Sequence, residues 1–453
     1  MTRVTLLLIF ALLLVWNTGN AQQQITLDEA IDIALDNNTS LQQAENNIER
    51  SELQIRGDRA QYLPSLNLSG GGNTQSGQQF DQANIEYDNF VSTSTNGSIN
   101  SSIDLFTGFT RINNLRSSRA GYESAHDRYE RQKQTLIFNT AQAYLEVLLE
   151  QELLEVNREN LETAQRQLEQ VEAQVEVGTV PSVDLYEQRS NVAGIELEII
   201  RQENALEMAK TNFLSFLQVD PFTEYELVEP DFDQDDLIPD DYNLRELVEA
   251  AMDQRRDVHA ARTDIEQSGY DLSAAQGSRY PSVSLNGSIS TNYSDRISDP
   301  LDGSTIPFTD QFFDQNVTQS VGLSVSIPIF NQFQTSNQIQ QARIDQRDAR
   351  LELEDLQYEV IQEVRQAYND YRGFSKELEA SDAALEAAEL AFQTQQERYN
   401  VGSATLIELT EAQNSYIEAL SDMVTAEYQF IFQEKVLDYY LGRISDDPDI
   451  TGM

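Results

Sequence analysis

The stretch VGTVPSVDLYEQRSN at residues 177–191 returns as VGSATLIELTEAQNS at residues 401–415. Val-Gly opens both copies, Leu185 matches Leu409, and the offset, 402 − 178 = 224, is about half of the 453-residue chain. Each copy follows a long segment without proline, so the pattern predicts a helix that ends at a glycine in the left-handed conformation. A second helix is predicted to begin just after each glycine. The sequence therefore predicts two antiparallel helical hairpins, each with a Val-Gly tip.

Apolar residues recur at every seventh position in the segments on both sides of these tips. Such a strict repeat predicts helices that supercoil with a left-handed twist around a partner helix. The segment 111–177 alone would form a helix of ~100 Å at 1.5 Å per residue. The four predicted seams are Val147, Leu154, Leu161, Leu168 and Val175; Leu185, Val192, Ile199, Leu206 and Phe213; Tyr371, Leu378, Leu385, Phe392 and Tyr399; and Leu409, Tyr416, Met423, Phe430 and Leu437.

Shorter motifs are also written twice, which predicts a tandem duplication of one architectural unit. LPSLNLSG at 63–70 parallels YPSVSLNG at 280–287, and SIDLFTGF at 102–109 parallels SIPIFNQF at 326–333. Each half reads as a helix, two strands, a very long helix, a glycine turn and a helix. The predicted boundaries are a signal peptide at 1–21, a first repeat at 22–218, an acidic connector at 219–242, a second repeat at 243–442 and a tail at 443–453.

The beginning of the chain predicts export. Arg3 precedes an apolar run at residues 4–16, and small residues lead to Ala21. This is the pattern of a cleaved signal peptide, since the run is shorter than the ~20 residues of a membrane-spanning helix. The chain has no cysteine, so the exported protein must be held together by packing or by oligomerisation rather than by disulfides.

Composition excludes several classes of function. The chain carries 76 acidic and 30 basic residues, and this charge of −46 repels nucleic acid and acidic lipid headgroups. The only histidines are His126 and His259, and neither a nucleophile motif nor a phosphate-binding loop occurs. We therefore expect no enzymatic activity, no cofactor and no metal site.

The strands indicate the environment. In the stretch 321–329 apolar residues occupy every odd position, with Gly, Ser and Pro between them, so one face is apolar and the other small and polar. Aromatic residues stand at the strand ends, as in outer-membrane strands, although a soluble sheet packed on one face has the same alternation. Four strands cannot close a barrel, which needs about eight; three copies would supply about 12 and two copies about eight. Segments 72–95 and 291–316 are predicted to be the outward loops.

In this order of elements the sequence resembles the TolC-like outer membrane efflux family, over essentially the whole chain after the signal peptide. The resemblance implies a mixed α and membrane β fold: a tandem-duplicated subunit with four strands and long coiled-coil helices. Three such subunits would form a homotrimer, with one 12-stranded barrel in the outer membrane and an α-helical tunnel through the periplasm. Its partners would be a periplasmic adaptor protein, an inner-membrane pump and outer-membrane lipid, in tripartite efflux or type I secretion.

The resemblance also implies roles for residues at the tips. The adaptor would dock at Val177, Gly178, Thr179, Val401, Gly402 and Ser403. Glu408 and Glu411, six and nine residues after Gly402, would form two acidic rings that narrow the channel, since residues three apart share a helix face. The alternative for both glutamates is a solvated acidic first turn favoured by the helix dipole.

A closing link is implied as well. Tyr399, just before the second tip, and Asp184, just after the first, occupy the positions of a tyrosine and an aspartate that bond to each other in relatives. The arginine that assists them would stand at residue 404, which is alanine here, so the family's full latch is in doubt. The alternative for Tyr399 is membership of its heptad seam.

A different class of function stays open on the sequence alone. An exported structural or adhesive coiled-coil protein would have the same heptads and the same acidity. It would not account for paired amphipathic strands in both halves. Within the channel interpretation, the residues do not say whether the cargo is a drug, a metal ion or a protein.

Overall fold

A computed structural model describes residues 23–81, 85–222, 225–229, 242–298 and 304–444. The predicted signal peptide at 1–21 lies outside the described residues, as do most of the predicted connector and nearly all of the predicted tail. Every described helix is too polar or too short to cross a bilayer as a transmembrane span.

The helices and strands occur twice in the same order. The first set is β1 (Gln23–Ile25), α1 (Leu27–Asn37), α2 (Thr39–Ala60), β2 (Ser65–Asp81), β3 (Glu86–Thr107), α3 (Thr110–Glu176) and α4 (Ser182–Leu217). The second is β4 (Tyr225–Leu227), α5 (Leu244–Gln254), α6 (Arg256–Gly277), β5 (Ser282–Ser294), β6 (Thr318–Ser326), α7 (Gln334–Asn400) and α8 (Leu406–Leu441). Corresponding helices have equal lengths of 11, 22, 67 and 36 residues.

The first predicted helix of each half is in fact two helices separated by one residue. Asn38 ends α1 and Arg255 ends α5, each in an extended conformation with ψ of 113° and 128°. The two breaks lie at equivalent places in the repeats, because each follows a helix of 11 residues. The side chain of Asn38 accepts the amide N–H of Leu41 at 2.9 Å and so begins α2.

The described residues divide into two compact units, and neither unit is a sequence repeat. One unit contains the described parts of Met1–Glu45, Asp127–His259 and Asp355–Met453, and the other contains Asn46–His126 and Ala260–Glu354. Each unit therefore takes segments from both halves of the chain.

The unit of residues 46–126 and 260–354 contains an antiparallel sheet with the strand order β2-β3-β5-β6. Its alternation is as predicted: Leu68, Ile99 and Ile289 meet across three strands on one face, while serine hydroxyls pair on the other. Among the described residues most of the apolar face is uncovered, for Leu68 and Val321 are each 81% exposed. Strands β2 and β6 are the two edges.

The prediction that residues 72–95 form an outward loop is wrong. Strand β2 continues to Asp81 and β3 begins at Glu86, so most of the segment is an extended hairpin. Its polar sequence resembles a loop, but cross-strand pairs hold it. These include a Thr74–Thr93 hydroxyl bond of 3.3 Å and an edge-on Phe80–Tyr87 contact. The prediction of a second outward loop at 291–316 is wrong for its first residues, because β5 continues to Ser294. A helical turn at Phe308–Asp310 and a π-helical turn at Gln311–Gln315 follow.

The other unit contains the paired parts of the long helices. The seam residues are all buried or half-buried, which is what knobs packed against a partner helix require. Helix α3 pairs antiparallel with α4 through Glu172–Arg189 and Glu150–Gln202 contacts, and α7 pairs with α8 through a Phe392–Tyr416 stack of 5.6 Å. The two hairpins also touch, since the buried Gln413 of α8 donates to Asn160 of α3 at 2.7 Å.

A two-stranded parallel sheet joins the beginning of the first repeat to a segment of the predicted connector. Residues Gln23–Ile25 of β1 pair with Tyr225–Leu227 of β4. The fully buried Tyr144 of α3 donates its hydroxyl toward two backbone carbonyls, Ile25 at 3.0 Å and Val228 at 2.5 Å, and its ring packs edge-on against Phe213. The phenol therefore bridges the ends of the two strands, where the Ile25 carbonyl also accepts the amide N–H of Val228 at 3.0 Å.

We expect Tyr144→Phe to lower the free energy of unfolding by about 0.5–1.5 kcal/mol, since the ring stays while the Val228 carbonyl loses the phenol and the Ile25 carbonyl keeps only the Val228 amide. Urea unfolding of the assembled protein, followed by circular dichroism, measures the difference. Tyr186→Phe is the matched control, because Tyr186 is exposed on α4. Equal urea midpoints for the two variants would show that the Tyr144 hydroxyl does not contribute to stability.

Candidate functional site

The two tips have the same backbone geometry. Gly178 and Gly402 have φ of +76° and +75°. Both values lie in the left-handed region that glycine adopts without a steric cost. After each glycine the next amide N–H donates to the carbonyl five residues back, from Thr179 to Gln174 at 2.9 Å and from Ser403 to Arg398 at 2.7 Å. This is the Schellman motif, as expected for a helix that ends at glycine.

Each tip carries an exposed apolar side chain and a hydroxyl that already has a hydrogen-bond partner. Val177 and Val401 are 74% and 79% exposed. The hydroxyls of Thr179 and Ser403 donate back to the carbonyls of Gln174 and Arg398 at 2.9 and 3.1 Å. Each tip thus presents an apolar side chain on a backbone whose terminal carbonyls are already occupied.

The helices that follow the tips begin differently. At the first tip Pro181 is the N-cap of α4 and makes no side-chain capping bond. At the second tip Thr405 and Glu408 form a capping box, in which each residue bonds the backbone of the other. The Thr405 amide donates to the Glu408 carboxylate at 2.8 Å, and the Glu408 amide donates to the Thr405 hydroxyl at 3.3 Å. Glu408 is therefore oriented toward the start of its own helix.

These bonds lower the pKa of Glu408. The amide of Thr405 is the main cause, its hydroxyl is the next favourable one, and the positive charge of Arg398 adds to both. Glu411 follows on the next turn and is exposed like Glu408, while the seam residue Leu409 between them is buried. The predicted pair thus lies on the accessible side of α8.

Tyr399 lies where three helices approach one another. Its hydroxyl donates to the side-chain amide oxygen of Gln174 on α3 at 3.3 Å. Partial burial raises the pKa of Tyr399, and the negative charge of Asp184 on α4 raises it further. The structure therefore brings the two predicted link residues near each other, with Gln174 as the hydrogen-bond partner of the phenol.

Sequence reasoning missed Gln174 and Arg398. The Arg398 guanidinium donates to the carbonyl of Ser403 at 3.2 Å and to Gln395 at 2.7 Å, so it braces the second tip from the helix that precedes it. A basic residue in the last turn of a helix is favoured by the helix dipole, and this signal could have identified Arg398. Gln174 carries no comparable signal. Among the described residues, no group of three or more His, Cys, Asp or Glu side chains is placed to hold a metal ion.

Comparison with known proteins gives one consistent result. The sequence model of the family described as "Outer membrane efflux protein" matches residues 30–215 and 247–443. The chain is 25% identical to the outer membrane protein TolC of Vibrio cholerae over 393 residues, which are 86% of this chain and 85% of that protein. It is 24% identical to the outer membrane efflux protein BepC of Brucella suis over 430 residues, 95% of this chain and 88% of that one.

The fold has a solved counterpart. The crystal structure of the Campylobacter jejuni CmeC outer membrane channel superposes with a TM-score of 0.79, covering 94% of this chain and 88% of that one. At 17% sequence identity this likeness concerns the fold.

The capping box yields a pH-dependent prediction. The pKa of Glu408 is lowered in the folded protein from the ordinary glutamate value of 4.5. The stabilisation is therefore complete above that ordinary value and is lost as pH falls through the folded pKa. Thr405→Ala should remove it at every pH. Hydrogen exchange of the peptide around residues 401–412, corrected for intrinsic pH effects, measures protection of the first turn of α8.

In that measurement Glu408→Gln is the informative control, because glutamine at the same position keeps a capping acceptor that does not titrate in this range. Its protection should stay constant from neutral to acidic pH. If the same peptide of the wild-type protein also keeps constant protection against exchange from neutral to acidic pH, the capping box does not titrate and the prediction is wrong.

Proposed function

Because the chain belongs to the outer membrane efflux protein family, we propose that it is the outer-membrane exit duct of a tripartite efflux or type I secretion system. The observation that carries the proposal is the combination of a bare amphipathic sheet with two long helical hairpins that end in matched, exposed tips. A surface coiled coil of the adhesive kind has no use for such a sheet. The protein acts as a channel in the outer membrane and not as an enzyme.

The open sheet supports a homotrimer. Unpaired backbone groups at β2 and β6 are too costly to leave in lipid, so these edges must pair with other copies. Three copies place about 12 strands in one closed barrel, whereas two give only about eight, whose interior is filled by side chains. The helices of the three copies would then enclose a common periplasmic tunnel.

The tips are proposed to be the adaptor-docking sites. Exposed Val177 and Val401 offer apolar anchors, and Gly178 and Gly402 allow close approach, since nothing lies within 4 Å of the place a Cβ would occupy on either glycine. Thr179 and Ser403 complete the two surfaces. A periplasmic adaptor with helical hairpins would bind end to end with these tips and connect the duct to an inner-membrane pump.

Glu408 and Glu411 are proposed to form two acidic rings at the periplasmic entrance. Three carboxylates in each ring would favour cations and attract divalent ions. The pKa of Glu408, lowered by its bonds to Thr405, keeps this ring ionised to lower pH than an ordinary glutamate ring. Glu411 would add the second ring one turn further along α8.

The closed state is proposed to use Tyr399, Gln174 and Asp184 together. The phenol already bonds Gln174, and Asp184 lies close enough to affect its pKa. Ala404 cannot supply the arginine of the family's latch. Arg398 stands five residues before Ser403 and holds its carbonyl, so it stabilises the tip itself rather than the contact between hairpins.

The entrance is tested by conductance in planar bilayers, after light scattering has established that the purified particle contains three chains. We expect a small cation-selective conductance that divalent ions block from the periplasmic side. Glu408→Gln/Glu411→Gln should lose about half or more of the cation preference and the block, since the charged rings are gone while the capping bond is kept. Tyr399→Phe should instead raise the conductance and leave the cation preference unchanged.

The matched control for charge is Glu352→Gln/Glu354→Gln, which removes the same charge far from the tips on α7. If the control changes selectivity as much as the entrance variant, the acidic rings are refuted and the channel remains. A two-chain particle would refute the trimer. Absence of any conductance from a well-folded oligomer would refute the duct.

Adaptor docking is tested by cross-linking in cells. The chain has no cysteine of its own, so an introduced cysteine is its single reactive thiol. A single Thr179→Cys or Ser403→Cys chain, treated with a short bifunctional reagent, should form an adduct with one periplasmic protein. Glu352→Cys is the control and should form none. Adding Gly178→Val to the Thr179→Cys chain should reduce the adduct severalfold, because valine is strained at positive φ. An unchanged yield would contradict docking at this geometry.

A further inference from the structure

The apolar face of the sheet is not flat. It contains a groove of about 780 Å³ near the ends of β5 and β6. Glycines form its floor, because three neighbouring positions of β2 and β3 lack side chains, and aromatic and aliphatic side chains form its walls. The residues that define it are Gly70, Gly72, Gly97, Ile289, Phe312 and Phe313.

Register places the floor on the apolar face. Gly70 pairs with Gly97, and Gly97 pairs with Thr291, one step beyond the apolar row of Leu68, Ile99 and Ile289. Side chains two residues apart along a strand share a face, so the glycines continue this row. The groove is thus an interruption in a face on which leucine, isoleucine and valine predominate.

The aromatic wall is held in place by packing and hydrogen bonds. The ring of Phe312 lies directly over Gly97, so close that a Cβ there would stand 2.9 Å from it. The Thr291 hydroxyl donates to the Phe312 carbonyl at 2.5 Å. Gln311 is fully buried, accepts the amide of Ser294 at 3.1 Å, and donates to the carbonyls of Ser294 and Ile306 at 3.0 and 2.9 Å. These bonds fix the π-helical turn against β5.

The lining fits one kind of ligand. None of the residues around the groove is charged, in a chain of which 23% of residues are charged. Phe313 is 70% exposed and Phe308 stacks on Phe312 at 4.9 Å, so the wall presents mainly ring surface, and the Thr291 hydroxyl beside it is already bonded to the Phe312 carbonyl. An elongated apolar molecule is therefore favoured over an ion or a sugar.

We propose that this groove holds one acyl chain of an outer-membrane lipid. The proposal rests on the proposed function, since the apolar face meets lipid only if the sheet is the membrane part of the duct. The groove is continuous with exposed Leu66, Leu68 and Leu323 on that face. A second copy would pair with the strand edges, within the plane of the sheet, and would leave this face to the bilayer. A glycine floor beside an aromatic wall buries more of each methylene group than a flat face does.

The sequence supplies a clean reporter. Trp16 is the only tryptophan and lies in the predicted signal peptide, so the processed chain contains none. Phe313→Trp places one indole in the groove wall, and Leu323→Trp places one on the flat part of the same face. The oligomers are reconstituted in phosphatidylcholine vesicles with brominated acyl chains, which quench indole fluorescence on contact.

Filling the groove is the decisive change. Gly70→Val adds a side chain to the floor whose Cβ would meet only the Asn96 carbonyl, at 3.6 Å. Displacing two buried methylene groups of the lipid chain weakens binding about tenfold, so quenching of the indole at position 313 should fall by roughly half or more. Quenching at position 323 should not change. Gly322→Val is the matched control, because Gly322 pairs with Asn286 on the polar face, lies outside the groove, and its Cβ would meet nothing within 4 Å.

Each other outcome contradicts the proposal in a different way. If Gly70→Val does not change the quenching of the indole at position 313, no acyl chain lies in the groove. Strong quenching at 323 with none at 313 means that protein covers the groove. No quenching at either position means that the sheet is not in lipid, which refutes the proposed function as well. Should Gly70→Val fail to assemble, Gly72→Val replaces it, since its Cβ has no neighbour closer than 3.9 Å.

Discussion

A four-stranded sheet with two open edges and a bare apolar face is the constraint on which the rest of this protein depends. Every residue of β6 is exposed within the single chain, and the apolar residues of β2 are exposed as well. Such a sheet is an aggregation hazard in water and an impossible structure in lipid unless its edges are paired. Only closure with further copies removes both problems. In the proposed trimer the duplicated chain would supply one third of a barrel, so a single copy would leave the sheet open.

The features that sequence analysis predicted are those that local chemistry determines. A heptad repeat predicts its own burial pattern, and every seam position is buried or half-buried. Glycine after a long helix predicts a left-handed end, and Gly178 and Gly402 have it. Strict alternation predicts which face of a strand is apolar. Each of these signals lies within a few residues of the feature that it specifies, so no knowledge of the fold is needed.

The features that were missed depend on partners distant in sequence. The polar segment 72–81 is a strand because 86–95 lies beside it, and nothing within the segment says so. The breaks at Asn38 and Arg255 interrupt otherwise regular apolar spacing. Gln174 matters because Tyr399, 225 residues away, donates to it. Glu408 is the instructive exception, since Thr405-x-x-Glu408 is a capping-box pattern that sequence alone displays, although the family resemblance implied a channel ring there.

The capping role of Glu408 is compatible with its proposed role in an acidic ring, and together they distinguish it from Glu411. A carboxylate held by the Thr405 amide and hydroxyl has few orientations, and the lowered pKa keeps it charged. In a trimer such groups would form a ring of fixed charge that mild acidification does not remove. Glu411 is exposed one turn later, outside the capping box, so its side chain would be free to adjust to an ion in the proposed second ring. One rigid and one adaptable ring in series can admit a cation and still release it, which a pair of rigid rings would do less well.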